Sequence, residues 1–370
     1  DRQTDRQTDR QTDRQTDRAD QLQFLRFLAF CLIFLWHTDV WALEWFPRGN
    51  GASSAVVFFF ILSGLVTAYS SYGKEIRFSL AGWGRYMWNK LVKLYPLYFV
   101  TTVFAVSYSG IPNCIANSDF ETLDKSLEQL VKNLLLIQSW YSEHYFSYNG
   151  VGWFLSSIMF LYMLRIPLMA CMTMLRKKAK YGYIVPYIIF MLAIIAIVIY
   201  CYMMRGAKLE YWLYVFPLSR IGEYVCGICL GYIICSVRDK VTYSFRTRIF
   251  FSIFETLSLI IWIIALYSPV FKPWHATIVS WLFPNVLLLT VFTFGKGIVS
   301  DLFKFKIFKY LGDISFICFL IHQVIIQQYS VNSGISVTSR HGGAFSILFC
   351  LSITVILAML IKSPQMRKKD

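Results

Sequence analysis

The sequence predicts an all-α protein: a polytopic integral membrane helical bundle of about ten transmembrane helices, with both termini cytoplasmic. Three observations predict it. The 370-residue chain is 56% hydrophobic and 18% aromatic, with a mean hydropathy of +0.51, and a water-soluble domain of this size cannot hide that much apolar surface. Apolar runs long enough to cross a hydrocarbon core of ~30 Å as helices recur along the chain. Between successive runs, Lys and Arg alternate between dense and sparse, as cytoplasmic and external segments do.

Residues 1–20 form a polar tail in which DRQT occurs four times and is followed by DR, with Asp and Arg in balance. It is expected to be disordered. In DNA, DRQT can be written GAC AGA CAG ACA, a repeat of the unit GACA. Such a tract stays open in every frame, so slippage by one unit changes only whether the downstream frame is read. Two readings stand: phase-variable expression, or a low-complexity leader without function.

A transmembrane domain is expected over 21–364, with runs at 24–41, 55–72, 90–109, 151–173, 183–204, 218–236, 249–268, 275–294, 309–328 and 344–362, and a basic cytoplasmic tail over 365–370. The first run lacks a small-residue cleavage site and is expected to stay as a helix. Trp41, Trp153, Trp212, Trp274 and Trp281 fall near run ends, where an interfacial aromatic belt would place them. Pro96 is expected to kink the third helix. The long segment 110–150 is acidic, and its stretch DKSLEQLVKNLLLI has the apolar spacing of a short interfacial helix.

The formal charge of +15 needs no nucleic-acid partner. With the N-terminus inside, inner segments such as Arg176, Lys177, Lys178 and Lys180 are basic, and the outer ones hold only Arg48, Lys125, Lys132, Arg205, Lys208, Lys272 and Arg340. That bias orients a membrane protein. Nine cysteines, an odd number, lie mostly in apolar runs and offer no disulfide framework. Cys226 and Cys229 form C-x-x-C beside Gly227 and Gly231, which reads as close helix packing, with redox or metal binding the alternative. No metal is expected.

Ionisable groups inside a membrane are costly, so each is a functional candidate. In RFLAFCLIFLWH, Arg26 and His37 are eleven residues apart, which on a helix is ~1100° of rotation and ~16 Å of rise, so they share one face. Arg26 is a snorkelling anchor or a site residue; His37 is an interhelical hydrogen-bonding group or a general base. Lys90 and Lys93 begin the third helix and either hold phosphates or snorkel. Arg220 and Glu223, one turn apart on the sixth helix, form an ion pair or take part in catalysis. His322 lies past the middle of the ninth helix and is a packing histidine or, with Trp153, a contact to the acceptor substrate. The cations gather at the inner mouth, whereas His37, Arg220, Glu223 and His322 lie further out. That separation suits a phosphate-bearing donor from the cytoplasm and an acceptor from outside.

Six blocks then resemble the acyltransferase 3 family, in its order: Arg26-x10-His37, AVVFFFILSGLV at 55–66, NKLVKLYPLY at 89–98, GWFLSSIMFLY at 152–162, SRIGEYVCGICLGY at 219–232 and LGDISFICFLIH at 311–322. The resemblance covers nearly all of the chain after the tail. It implies transfer of an acyl group, most often acetyl, from acyl-CoA to a hydroxyl of a cell-surface carbohydrate, in the bacterial cytoplasmic membrane. It also implies that His37 is the catalytic base and Arg26 essential. Acetyl-CoA is then the donor, Arg26, Lys90 and Lys93 receive its phosphates, Arg220 steadies the oxyanion and Glu223 orients it.

Two departures stand out. Lys90 and Lys93 replace paired arginines of the family and lose bidentate geometry, and Ile158 and Met159 stand where many members carry glutamates. Motifs of rival chemistries (G-x-S-x-G, a Walker loop, H-E-x-x-H) are not found. The alternatives are a transporter or flippase of a lipid-linked glycan, and a degenerate member kept as a scaffold.

Overall fold

The computed structural model describes residues 20–38, 51–267 (except 75, 77, 205, 207–209 and 239), 274–333 and 343–366. The DRQT tail, Trp41, Arg48, Arg77, Arg205, Lys208, Lys272, Arg340 and the basic residues 367–369 lie outside them, as does the side chain of Trp274. Among the described residues the protein is all-helical, without a strand. The helices are α1 Asp20–His37, α2 Gly51–Ser71, α3 Leu80–Val106, α4 Ile111–Ala116, α5 Phe120–Leu134, α6 Gly152–Lys178, α7 Val185–Met203, α8 Ile221–Arg238, α9 Phe245–Tyr267, α10 Trp274–Phe294, α11 Ile298–Phe303, α12 Lys306–Ser333 and α13 Gly343–Met366.

Seven of these are long and apolar enough to cross a membrane: α2, α6, α7, α8 with the turn before it, α9, α12 and α13. The first, third and eighth expected spans form α1, α3 and α10 but fall outside that set. Polar Asp20, Gln21, Gln23 and Arg26 dilute α1, and Arg85, Lys90 and Lys93 dilute α3. The apolar stretch of α10, Val279–Phe294, is shorter. The helices turn outward faces of bare hydrocarbon, as α7 does with Ile188, Met191, Leu192, Ile195, Val198 and Ile199. In water such a surface would aggregate; in a bilayer it is the lipid contact.

Small residues decide which helices touch. A Cβ on Gly64 would collide with the Tyr224 carbonyl, and one on Gly227 with the Ile61 carbonyl. Gly231 meets Ala68 and Leu65 in the same way. The matched order of these contacts makes α2 and α8 parallel, with their backbones at the closest approach that helices allow. Cys226 and Cys229 are buried on this packed helix, and among the described residues no group of three or more His, Cys, Asp or Glu could hold a metal.

Three expectations change. The third helix begins at Leu80, where Ser79 Oγ caps Gly82 N–H at 3.1 Å, so Lys90 and Lys93 lie well inside it. Hydropathy missed this first part because LAGWGRYMWN is amphipathic; it packs through Trp83, whose Nε1 donates to the Met163 carbonyl at 2.9 Å. Pro96 lies inside the helix, which runs on to Val106. Trp153 and Trp281 are buried within the bundle rather than set in a lipid-facing belt.

Of the stretch expected to be an interfacial helix, residues 124–134 lie in α5 and 135–137 follow its end. Asp119 caps it by accepting from Thr122 N–H, Glu121–Lys125 and Glu128–Lys132 pairs line its polar side, and Phe120, Leu127 and Val131 are exposed.

Candidate active site

The site is built on α1 and α12, which run parallel. At one end Lys309 bonds Asp20 at 2.9 Å. One turn on, Gly312 lets the Gln23 backbone approach to a distance that no side chain would allow. At the other end His322 Nε2 meets His37 Nδ1 at 3.3 Å, with ring centroids 5.1 Å apart and edge to face. Close packing near Gly312 thus aligns the histidines 285 residues apart in sequence.

Both imidazoles are tethered. His322, fully buried among Phe30, Phe34 and Phe319, has Nδ1 2.7 Å from the Phe319 carbonyl. His37, half-buried, has Nδ1 2.9 Å from the Ile33 carbonyl. Its Nε2 has no protein partner among the described residues. Thus α1 presents one imidazole nitrogen for chemistry at the end away from Arg26.

Towards the other end, cations from three helices converge. Lys90 on α3 lies 4.4 Å from the Tyr162 ring and 5.5 Å from the Tyr86 ring, and its charge neighbours are Lys93, Arg165 and Arg26. Arg165 on α6 lies 4.5 Å from the Tyr86 ring and donates to Ser71 Oγ at 2.9 Å. Arg26 donates to Gln23 Oε1 at 2.8 Å. Asp313 is near Arg26 but is itself bonded to Lys362 at 2.8 Å. Like charges held this close on apolar helices repel one another unless an anion joins them.

Arg220 and Glu223 form a separate, closed unit. Arg220 sits in a 3-10 turn, Pro217–Arg220, ahead of α8, not on the helix as expected, because the chain emerges there from the π turn Tyr211–Val215. Both side chains have 0% exposure; Nη1 donates to Glu223 Oε1 and Oε2 at 2.8 and 3.0 Å, and Nε and Nη2 donate to the Tyr214 carbonyl at 2.9 and 2.6 Å. The guanidinium also lies between the Phe60 and Tyr214 rings. A series of ring contacts, Tyr214–Trp153–Phe154–Phe319, lies between this unit and His322. Trp153 is therefore a buried link in that aromatic layer. Ile158 and Met159, in the family's glutamate positions, are buried core.

The acyltransferase 3 family model, described as an acyltransferase domain, matches residues 20–362. The chain belongs to the acyltransferase 3 family. Neither the curated proteins nor the solved structures gave a match. Membership places it among membrane acyltransferases, with carbohydrates as the acceptors the family suggests.

Two residues of this acyltransferase escaped the sequence reading. Arg165 is the charge inside the apolar run 151–173, and the rule that selected Arg26 would have found it. Glu255, fully buried on α9, accepts from Gly297 N–H at 2.9 Å and from Ser300 N–H at 3.0 Å, capping α11 from a neighbouring helix. Its signal was a carboxylate inside the run 249–268.

Proposed function

We propose that this acyltransferase moves an acetyl group from acetyl-CoA to a hydroxyl of a bacterial cell-surface carbohydrate, in the cytoplasmic membrane, with the Arg26 end of α1 facing the cytoplasm. The observation that carries the reading is the polarity of α1. Among the described residues, its Arg26 end lies in a four-cation cluster with no carboxylate dedicated to it, and its His37 end offers an imidazole nitrogen without a protein partner. A rise of ~16 Å between them suits a donor whose phosphates and reacting carbon lie far apart.

Arg26, Lys90, Lys93 and Arg165 receive the donor phosphates; Lys residues do so as point charges. His37 Nε2 takes the proton of the sugar hydroxyl as its oxygen attacks the thioester carbonyl. When the tetrahedral adduct collapses, the carbon–sulfur bond breaks and the imidazolium returns its proton to the departing thiolate, leaving ester and thiol. Trp153, in the aromatic layer beside His322, shapes the acceptor side. The proposal leaves the oxyanion to other donors than Arg220, whose guanidinium is bonded to Glu223 and to the Tyr214 carbonyl. Expression is phase-variable through the DRQT tract; an invariant repeat number across sequenced colonies would refute that part.

The test is His37→Ala in cells, with acetate on the surface glycan and glycan export measured together. Lost acetylation with normal export supports the enzyme. Blocked export with no acetyl-CoA turnover in wild-type membranes would make the protein a transporter of the glycan.

A further inference from the structure

We infer that His322 is a positioning residue that fixes the tautomer of His37, and so leaves Nε2 of His37 bare for the hydroxyl proton. The inference rests on the reading of His37 as the base, and it replaces the direct acceptor contact expected for His322. It follows from which atoms can donate. A backbone carbonyl only accepts. The 2.7 Å contact of His322 Nδ1 with the Phe319 carbonyl therefore places a proton on that nitrogen. A neutral ring protonated at Nδ1 presents a lone pair at Nε2, and that lone pair faces His37 Nδ1 at 3.3 Å.

His37 Nδ1 must then carry a proton as well, because its two neighbours, the Ile33 carbonyl at 2.9 Å and His322 Nε2, are both acceptors. One proton serves both in a bifurcated bond. The Ile33 carbonyl is shared, since in an α-helix it also accepts the backbone N–H four residues on. The His322 lone pair is the added acceptor that excludes the other tautomer. With Nδ1 protonated, Nε2 of His37 is unprotonated and aimed away from the pair. The side chain that orients a reactive imidazole sets which nitrogen can act. Here that side chain is a second imidazole, where a carboxylate would carry a charge that the surrounding Phe30, Phe34 and Phe319 rings could not solvate.

The full chain, labelled with 15N in its imidazoles and placed in lipid nanodiscs, reports the tautomer directly by solid-state NMR. The chain holds five His, and the His37→Ala spectrum assigns the signal. The expected result is a protonated Nδ1 and bare Nε2 at His37 in the wild type and in His322→Gln, whose Oε1 accepts where Nε2 did. In His322→Phe, which keeps the aromatic packing but removes the acceptor, a mixture of tautomers is expected. In native-host membranes given acetyl-CoA, with release of the CoA thiol as readout, His322→Phe is expected to lower kcat about tenfold or more with KM for acetyl-CoA unchanged, and His322→Gln to restore most of it. A protonated Nε2 at wild-type His37, or a His322→Phe protein with an unchanged tautomer and kcat, would overturn the inference. Full turnover by His37→Ala would instead overturn the assignment of the base, whatever the tautomer.

Discussion

Glu223→Leu, Arg220→Met and the double substitution separate a structural clamp from a group that works on the substrate. Glu223→Leu leaves a fully buried guanidinium with the Tyr214 carbonyl as its polar partner, and breaking a buried pair in this way costs ~3–5 kcal/mol. Arg220→Met leaves the carboxylate without its partner and is expected to cost at least as much, ~3–5 kcal/mol. The double substitution removes both charges, and apolar replacement of a buried pair is often neutral or better. It also strips the Tyr214 carbonyl of two donors from the guanidinium, and the loss of hydrogen bonds to a charged group costs ~1–3 kcal/mol. The double variant is therefore expected ~1–3 kcal/mol below the wild type, and more stable than either single variant. Equilibrium unfolding in mixed micelles, followed by tryptophan fluorescence and paired with acetyl transfer, measures the cycle. A double variant no more stable than Glu223→Leu would refute the clamp. A stable Arg220→Met protein that has lost transfer would return Arg220 to the reacting centre.

At the cation cluster, Arg165→Gln and Lys90→Gln are each expected to raise KM for acetyl-CoA about tenfold with kcat nearly unchanged, as loss of a charge-assisted phosphate contact does; an unchanged KM in both would empty the proposed phosphate site. Glu255→Gln puts an NH2 group against one of the two N–H donors, Gly297 or Ser300, and is expected to destabilise the protein by ~1–3 kcal/mol in the same unfolding assay. Asp119 lies outside the spanning helices, and its bonds to Thr122 hold its carboxyl below the usual range. Its support for α5 is therefore complete above the ordinary carboxylate pKa and lost as pH falls through the lowered one; hydrogen exchange in α5 should quicken in acid, and Asp119→Asn, which keeps the cap, should remove that acid dependence.

Much of the site was legible one helix at a time. Arg26 and His37 share a face because eleven residues make three turns, and that depends only on local geometry. Arg165 was legible by the same rule of intramembrane charge. The convergence of Arg165 with Lys90 and Arg26 was not, because hydropathy gives the depth of a residue and not the neighbour it turns towards. Residues 80–89 were lost to the third span because an amphipathic stretch is not an apolar run.

By itself the sequence determined which segments are apolar, which charged groups are costly there, and the family whose blocks the chain carries. Each follows from a one-dimensional pattern: transfer free energy summed along a helix, helical periodicity, or motif order. The tertiary structure decided partnership. Gly64, Gly227 and Gly231 let α2 and α8 meet backbone to backbone, and Gly312 brings α12 against α1. Those contacts set His322 on Nδ1 of His37 and bind Arg220 to Glu223 and the Tyr214 carbonyl. The rotation and register of packed helices are fixed by where small side chains permit close approach, a choice among many pairings that no single helix contains.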